Sequence, residues 1–315
     1  MKLNLKRKVL GLAFLAATLP ILVMLFLTSQ FEQTVAQQAE EELNQIVDQS
    51  LKQIAKDVYA MCETTHQLLL RKANEDLNIA RMLLEDAGEA ELSRESVSWT
   101  VRNQRTGEAM SVRFPKLLVA GRSVGAESSE TAPVVDETHR LTGAWCSILQ
   151  RSVDQGDLLR VATSVEAESK RRAIGTLIPA VDSDGKADPL VSAVAEGRAY
   201  SGLANVAGQW LVAAYHPLKD RQGKVIGALE VVQKPESTDA LRKAIGQIKV
   251  GKTGYVCIVG GKGEHRGKYV IPPQGRQVGE DIWMTRDADG RFFIQEQLSR
   301  AWKQPVGEAT LERYS

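Results

Sequence analysis

Hydrophobic and polar positions change their period twice along the chain. Residues 9–28 read VLGLAFLAATLPILVMLFLT, an uncharged run. About twenty such residues, at about 1.5 Å rise each, match a hydrocarbon core of about 30 Å, so the pattern predicts one transmembrane helix. Pro20 does not change that reading, because membrane helices tolerate proline where neighbours re-satisfy the freed backbone groups. From residue 29 to 87 there is no Pro or Gly, and Glu, Gln, Leu, Ala and Lys dominate. Such good helix formers predict one long helix of roughly 90 Å, ended by Gly88. Within it Leu43, Val47, Leu51, Ile54, Val58, Met61, Thr65 and Leu68 recur at steps of three and four. The stripe needs an apolar partner surface, and its spacing leaves two open: the same helix of a second subunit in a homodimer, or the chain's own globular part.

After Gly88 the period becomes two. SVSWTVR at 96–102 and MSVRF at 110–114 flank turn residues and predict a β-hairpin. A short helix at 134–141 precedes AWCSILQR at 144–151 and LLRVATSV at 158–165, a second antiparallel pair. A helix at 188–196 has Asp188 as N-cap, Pro189 in its first turn and Gly197 at its end. QWLVAAYHPL at 209–218 and KVIGALEVV at 224–232 make a third hairpin. A linking helix at 238–250, strands at 254–260 and 268–273, a helix at 291–302 and a strand-like end complete the chain. Strands grouped as hairpins with few helices between them argue for an α+β fold with antiparallel sheets in a PAS-like order. The expected division is a basic tip and transmembrane helix at 1–28, a membrane-proximal helix at 29–90, a first module at 91–237 and an incomplete second module at 238–315.

Charge then sets orientation. Lys2, Lys6, Arg7 and Lys8 precede the span, so that flank stays cytoplasmic and everything after Thr28 lies outside the cytoplasm. The competing reading is a signal peptide cleaved near Val35 or Ala36, with an unusually long apolar region. The balance of 40 Lys+Arg against 39 Asp+Glu lacks the basic stripe of a nucleic-acid binder. Cys62, Cys146 and Cys257 are far apart and odd in number, which indicates neither a zinc site nor a disulfide framework.

LLRVATSV, RRAIGTLIPA, the run VAEGRAYSGLANVAGQWLVAAYHPLKDRQGKVIGALEVV, and VGKTGYVCIVGGKG with GEDIWMTRDADGRFF together carry a resemblance. From about Leu92 onward the chain resembles the Cache 3/Cache 2 fusion sensor region of methyl-accepting chemotaxis proteins and related bacterial receptors. The resemblance implies an extracytoplasmic sensor on the bacterial inner membrane, single-pass in this chain, that binds a small solute and signals across the bilayer. It also implies a chain continuing past Tyr314 into the rest of the second module, a second span and a signalling domain. A membrane-anchored solute-binding or scaffold protein without signalling output is the alternative.

Residues 246–253, GQIKVGKT, match the pattern of a P-loop, yet a helix-like segment precedes them and a strand follows, the reverse of what a phosphate cradle needs. Asp287 to Gly290 resemble part of a calcium loop without its full oxygen set, and are read as a turn closing on Gly290. No His stands near a nucleophile, so no catalytic residue, metal or cofactor is expected. The candidate ligand contacts are Arg160, Arg172, Tyr200, Trp210 and Tyr215. Arg160 interrupts an apolar strand, Arg172 follows Arg171 before AIGT, and a guanidinium fork suits a carboxylate. The three aromatics fall in one short stretch of a chain that is only 5% aromatic. Small organic anions or amino acids are the expected ligand class.

Overall fold

The computed structural model describes residues 5–125, 132–153, 155–166, 171–181 and 185–312, excluding the side chains at 5–19, 21, 22, 25 and 264. A continuous helix, α1, runs over Leu5–Ala87, with Pro20 inside it. The predicted membrane span falls in this helix, and most of its side chains lie outside the described residues. Among the described residues no helix is long and apolar enough to cross a membrane. The predicted end at Gly88 holds: its φ of 122° is open to glycine, and its N–H donates to the Leu84 carbonyl at 3.1 Å.

The chain forms two compact units, one of residues 61–245 and one of residues 1–60 together with 246–315. In the first, chain order is β1 (Ala90–Asn103), β2 (Ala109–Val119), β3 (Arg122–Ser123), α2 (Pro133–Thr142), β4 (Trp145–Arg151), β5 (Leu158–Thr163), β6 (Thr176–Ile178), α3 (Pro189–Ala195), β7 (Tyr200–Val206), β8 (Gln209–Lys219), β9 (Val225–Val232) and α4 (Asp239–Gly246). The nine strands make one sheet in the order β3-β2-β1-β6-β5-β4-β9-β8-β7. All three predicted hairpins are present. The expected antiparallel sheet is in fact mixed, because β1 pairs β6 in parallel through Arg102–Thr176 and Asn103–Leu177. That pairing covers the edge of β6, whose backbone groups would otherwise be left without ladder partners. Strand β7 was not predicted; its small residues and Gly202 weaken the alternation that marks a strand.

Alternation along the strands builds a core on each face. On one face Cys146, Ile148, Leu159, Val161, Leu229 and Val231 pack with Ala73, Leu77, Ala80 and Leu84 of α1 and with Val134 and Val135 of α2. The α1 residues recur at i, i+4, i+7 and i+11, so the helix meets the sheet further along than the predicted stripe, whose Leu43 and Val47 are 62% and 52% exposed. On the other face Leu149, Leu158, Ala213, Tyr215, Ala228 and Val232 pack with Leu190, Val191 and Val194 of α3. Each fully buried aliphatic side chain contributes about 1.5–3 kcal/mol. The α3 N-cap is the predicted one: Asp188 accepts from the Leu190 and Val191 amides, and it also pairs with Arg105.

The second unit contains the first part of α1, β10 (Lys249–Val250) paired with β11 (Gly254–Tyr255), β12 (Ile258–Val259) paired with β13 (Tyr269–Ile271), and α5 (Phe293–Ala301). Its core is small: Tyr269, Ile282 and Ile294, with Cys257, Val259 and Leu298 against them. Lys56 of α1 reaches Glu308 at 3.7 Å. The strand predicted at 254–260 is two short strands, and residues 309–312 form none. Residues 246–253 hold the last residue of α4, strand β10 and the turn that leads into β11. Asp287 to Gly290 form a turn, with the Gly290 amide on the Asp287 carbonyl at 3.0 Å and the Arg291 amide on the Asp287 carboxylate at 2.8 Å.

Candidate functional site

On the α3 side of the sheet, strand register sets Thr163, Ser147, Glu230, Tyr215 and Tyr200 side by side across β5, β4, β9, β8 and β7. Arg160 and Thr163 are three residues apart on β5 and by alternation would point to opposite faces. A β-bulge resolves this: Leu149 opposes Arg160 while Ile148 opposes Ala162, so Val161 is the extra residue and both polar side chains reach the same face.

Arg160 and Glu230 are each 0% exposed. The Arg160 Nη2 donates to both Glu230 carboxylate oxygens at 2.8 Å, and its Nε to Oε2 and to Ser147 Oγ at 3.2 Å. Tyr215 donates its hydroxyl to Glu230 Oε1 at 2.8 Å, and Ser147 Oγ lies 2.8 Å from Thr163 Oγ1. Burial, and next the Glu230 charge, hold the Tyr215 phenol well above its ordinary value. The Tyr200 and Tyr215 rings are tilted at 55° with centroids 6.1 Å apart, and burial followed by Asp188 raises the Tyr200 phenol. The Arg160 Nη1 is buried without a hydrogen-bond partner. The buried charge is therefore answered by one carboxylate, while one donor face of the fork stays unmet.

Beside this row is a cavity of about 920 Å³ lined by residues of β1, the loop 171–176 and the β7–β8 turn. Arg102, Arg171 and Arg172 all line it, and so does Gln104, whose Oε1 is buried without a partner. Backbone bonds hold the loop in place. The Ala173 amide donates to the Val165 carbonyl, the Gly175 amide to that of Arg160 and the Arg102 amide to that of Gly175, all within 2.8–2.9 Å. Gly175, at φ 82°, makes this stitching possible, since a Cβ there would meet the Thr100 carbonyl at 3.1 Å. Arg172 ties cavity to row: its Nη1 pairs with Asp136 at 2.7 Å and donates to the Thr163 carbonyl at 3.0 Å.

Of the sequence candidates, Arg160, Tyr215 and Tyr200 come together on the sheet, and Arg172 lines the cavity. Trp210 stands opposite Asn205 in the β7–β8 hairpin, 49% exposed, in neither the row nor the cavity lining. Glu230, Ser147, Thr163, Arg102 and Gln104 were missed. Glu230 carries the signal that marked Arg160, a charge interrupting an apolar strand, VIGALEVV. Burial pushes the Cys146 thiol to about 12, which makes it inert. Among the described residues no group of three or more His, Cys, Asp or Glu is placed to hold a metal ion.

A nine-stranded sheet with a hydrophobic core on each face, flanked by α1 and α2 on one side and α3 on the other, has the α+β layering of a PAS-like module. The model of the Cache 3/Cache 2 fusion domain matches residues 36–314, and the chain belongs to that family. Among solved structures it is similar to a methyl-accepting chemotaxis protein X, at 11% identity over 82% of this chain and 84% of that one, with a TM-score of 0.37. It is also similar to the ligand-binding domain of the Campylobacter jejuni chemoreceptor Tlp3 in complex with L-valine, at 14% identity over 66% and 67%, with a TM-score of 0.28. An IcIR transcriptional regulator from Alicyclobacillus acidocaldarius matches at 14% identity over 35% of this chain, which spans 60% of the length of that regulator, with a TM-score of 0.23. All three TM-scores lie below 0.5, and the family match alone carries the assignment. The search of curated proteins found no match.

Proposed function

We propose that the chain is the extracytoplasmic sensing region of a bacterial transmembrane receptor of the chemotaxis type, binding a small organic anion or amino acid without chemical change. The observation that carries this reading is the cavity lined by Arg102, Arg171 and Arg172 together with Gln104, whose carbonyl is buried without a partner. Guanidinium forks suit a carboxylate, and the Gln104 Oε1 asks for an N–H donor, a pairing that an amino acid supplies in one molecule. Arg160, Tyr215 and Tyr200 belong to the buried polar row rather than to the cavity lining, and Arg172 links the two through the Thr163 carbonyl.

Residues 91–237 are the sensing module, and 238–315 belong to a second module. The apolar run at 9–28 anchors the chain in the inner membrane, and the exposed Leu43 and Val47 offer α1 an interface for a homodimer. Ligand that favours one of two α1 arrangements shifts their populations by its difference in affinity.

Thermal unfolding of the chain against carboxylates and amino acids tests the site. A ligand at a hundred times its Kd stabilises by about 2.7 kcal/mol, a rise on the order of 5–10 °C for a unit of this size. The rise is lost in Arg102→Ala and reduced in Arg172→Lys, which keeps the charge and loses the fork. A rise that survives both variants removes this cavity as the site.

A further inference from the structure

A second cavity, of about 330 Å³, lies against the opposite face of the same sheet, between the last turns of α1 and β8. Leu84, Ala90, Leu218 and Leu229 wall it with apolar surface. Two groups on the wall offer hydrogen bonds. One is the half-buried ring of His216, and the other is Arg81, whose Nε is buried without a partner. Neither belongs to the polar row or to the arginine-lined cavity, and the volume stands at the small end of ligand pockets.

The ionisable groups on this cavity are Arg81, Glu85, Glu89, His216 and Lys219. Glu85 is 70% exposed and lies 3.6 Å from Arg81, beyond hydrogen-bond reach of full strength, and Glu89 is exposed and paired with Arg221. Among the described residues lining the cavity, no carboxylate is buried to hold an ammonium. At His216 the field is positive: after burial, Arg81 and Lys219 lower its proton affinity and only Glu85 opposes them. A donor left unmet, a positive field and a hydrocarbon wall together describe a ligand with an anionic head and a short apolar tail.

We infer that this cavity is a separate binding site for a short-chain aliphatic carboxylate, with its head on Arg81 and His216 and its tail against Leu84, Leu218 and Leu229. The site stands independently of the arginine-lined cavity. Its occupant bridges the end of α1 and the sheet, so a small molecule here acts directly on that helix.

Histidine-selective NMR of the full chain, titrated with sodium butyrate against sodium chloride at equal ionic strength, tests the site. The His216 resonance titrates about one pH unit higher when butyrate is bound, as an adjacent negative charge requires. His66, His139 and His265 do not follow it. The effect is lost in Arg81→Gln, a substitution at a partly exposed helix position, and kept in Arg102→Ala. From acetate to butyrate each added methylene tightens binding by about fourfold. A His216 titration unmoved by butyrate overturns the proposal. So does an effect that persists in Arg81→Gln, or one indifferent to chain length, which marks an ion on the surface rather than an occupant of the cavity.

Discussion

Glu230 is the residue on which the polar row depends. It accepts from Arg160 on one side and from the Tyr215 hydroxyl on the other, with no solvent to replace either. Glu230→Ala leaves a guanidinium buried and unpaired, and urea unfolding registers a loss of about 3–5 kcal/mol. The double replacement Arg160→Met with Glu230→Leu removes both charges together, and it is less destabilising than Glu230→Ala alone. Equal or greater loss in the double variant shows that the pair contributes more than the cost of dehydrating it. Arg160 was legible in the sequence because a charge in an apolar strand must be answered somewhere. Its partner was not, because the two residues are 70 positions apart and meet only through the register of β4 with β5 and β9. The bulge at Val161 left no mark in the alternation either, so the shared face of Arg160 and Thr163 had to come from the fold.

At the scale of elements, β9 is read from both sides. Glu230 faces the polar row, while Gln233, just past the end of the strand, turns to α1 and donates to the buried Asp76 carboxylate at 2.8 Å. Lys72, one turn earlier on α1, completes that contact at 2.9 Å. Close approach keeps the strand in place, since a Cβ at Gly227 would lie 2.0 Å from the Leu149 carbonyl of β4. Gln233→Leu leaves Asp76 one partner short in a buried setting and costs about 1–3 kcal/mol in chemical denaturation. A loss below about 0.5 kcal/mol shows instead that Lys72 alone satisfies the carboxylate. The strands with strong alternation, β4, β5, β8 and β9, were predicted within a residue or two of their ends. The linking helix was drawn too long: α4 stops at Gly246, and residues 249–250 pair with β11 instead. Helix propensity in that stretch is local, whereas the hairpin is a competing partner that propensity does not weigh.

The family match runs from residue 36 to 314, and in the unit of residues 61–245 it corresponds to a nine-stranded sheet with a core on each face. The same unit carries two cavities, one lined by β1, the loop 171–176 and the β7–β8 turn and one beside α1. Cys146 occupies the middle of this sheet, 0% exposed and with its thiol raised to about 12, while Cys62 and Cys257 are only partly covered. In Cys62→Ser with Cys257→Ser, alkylation of Cys146 at neutral pH proceeds only when β4 parts from its neighbours. The lone thiol is thus a clock built into the sheet. Its rate of labelling slows when an occupant of either cavity holds the strands together, and stays unchanged when a compound binds elsewhere.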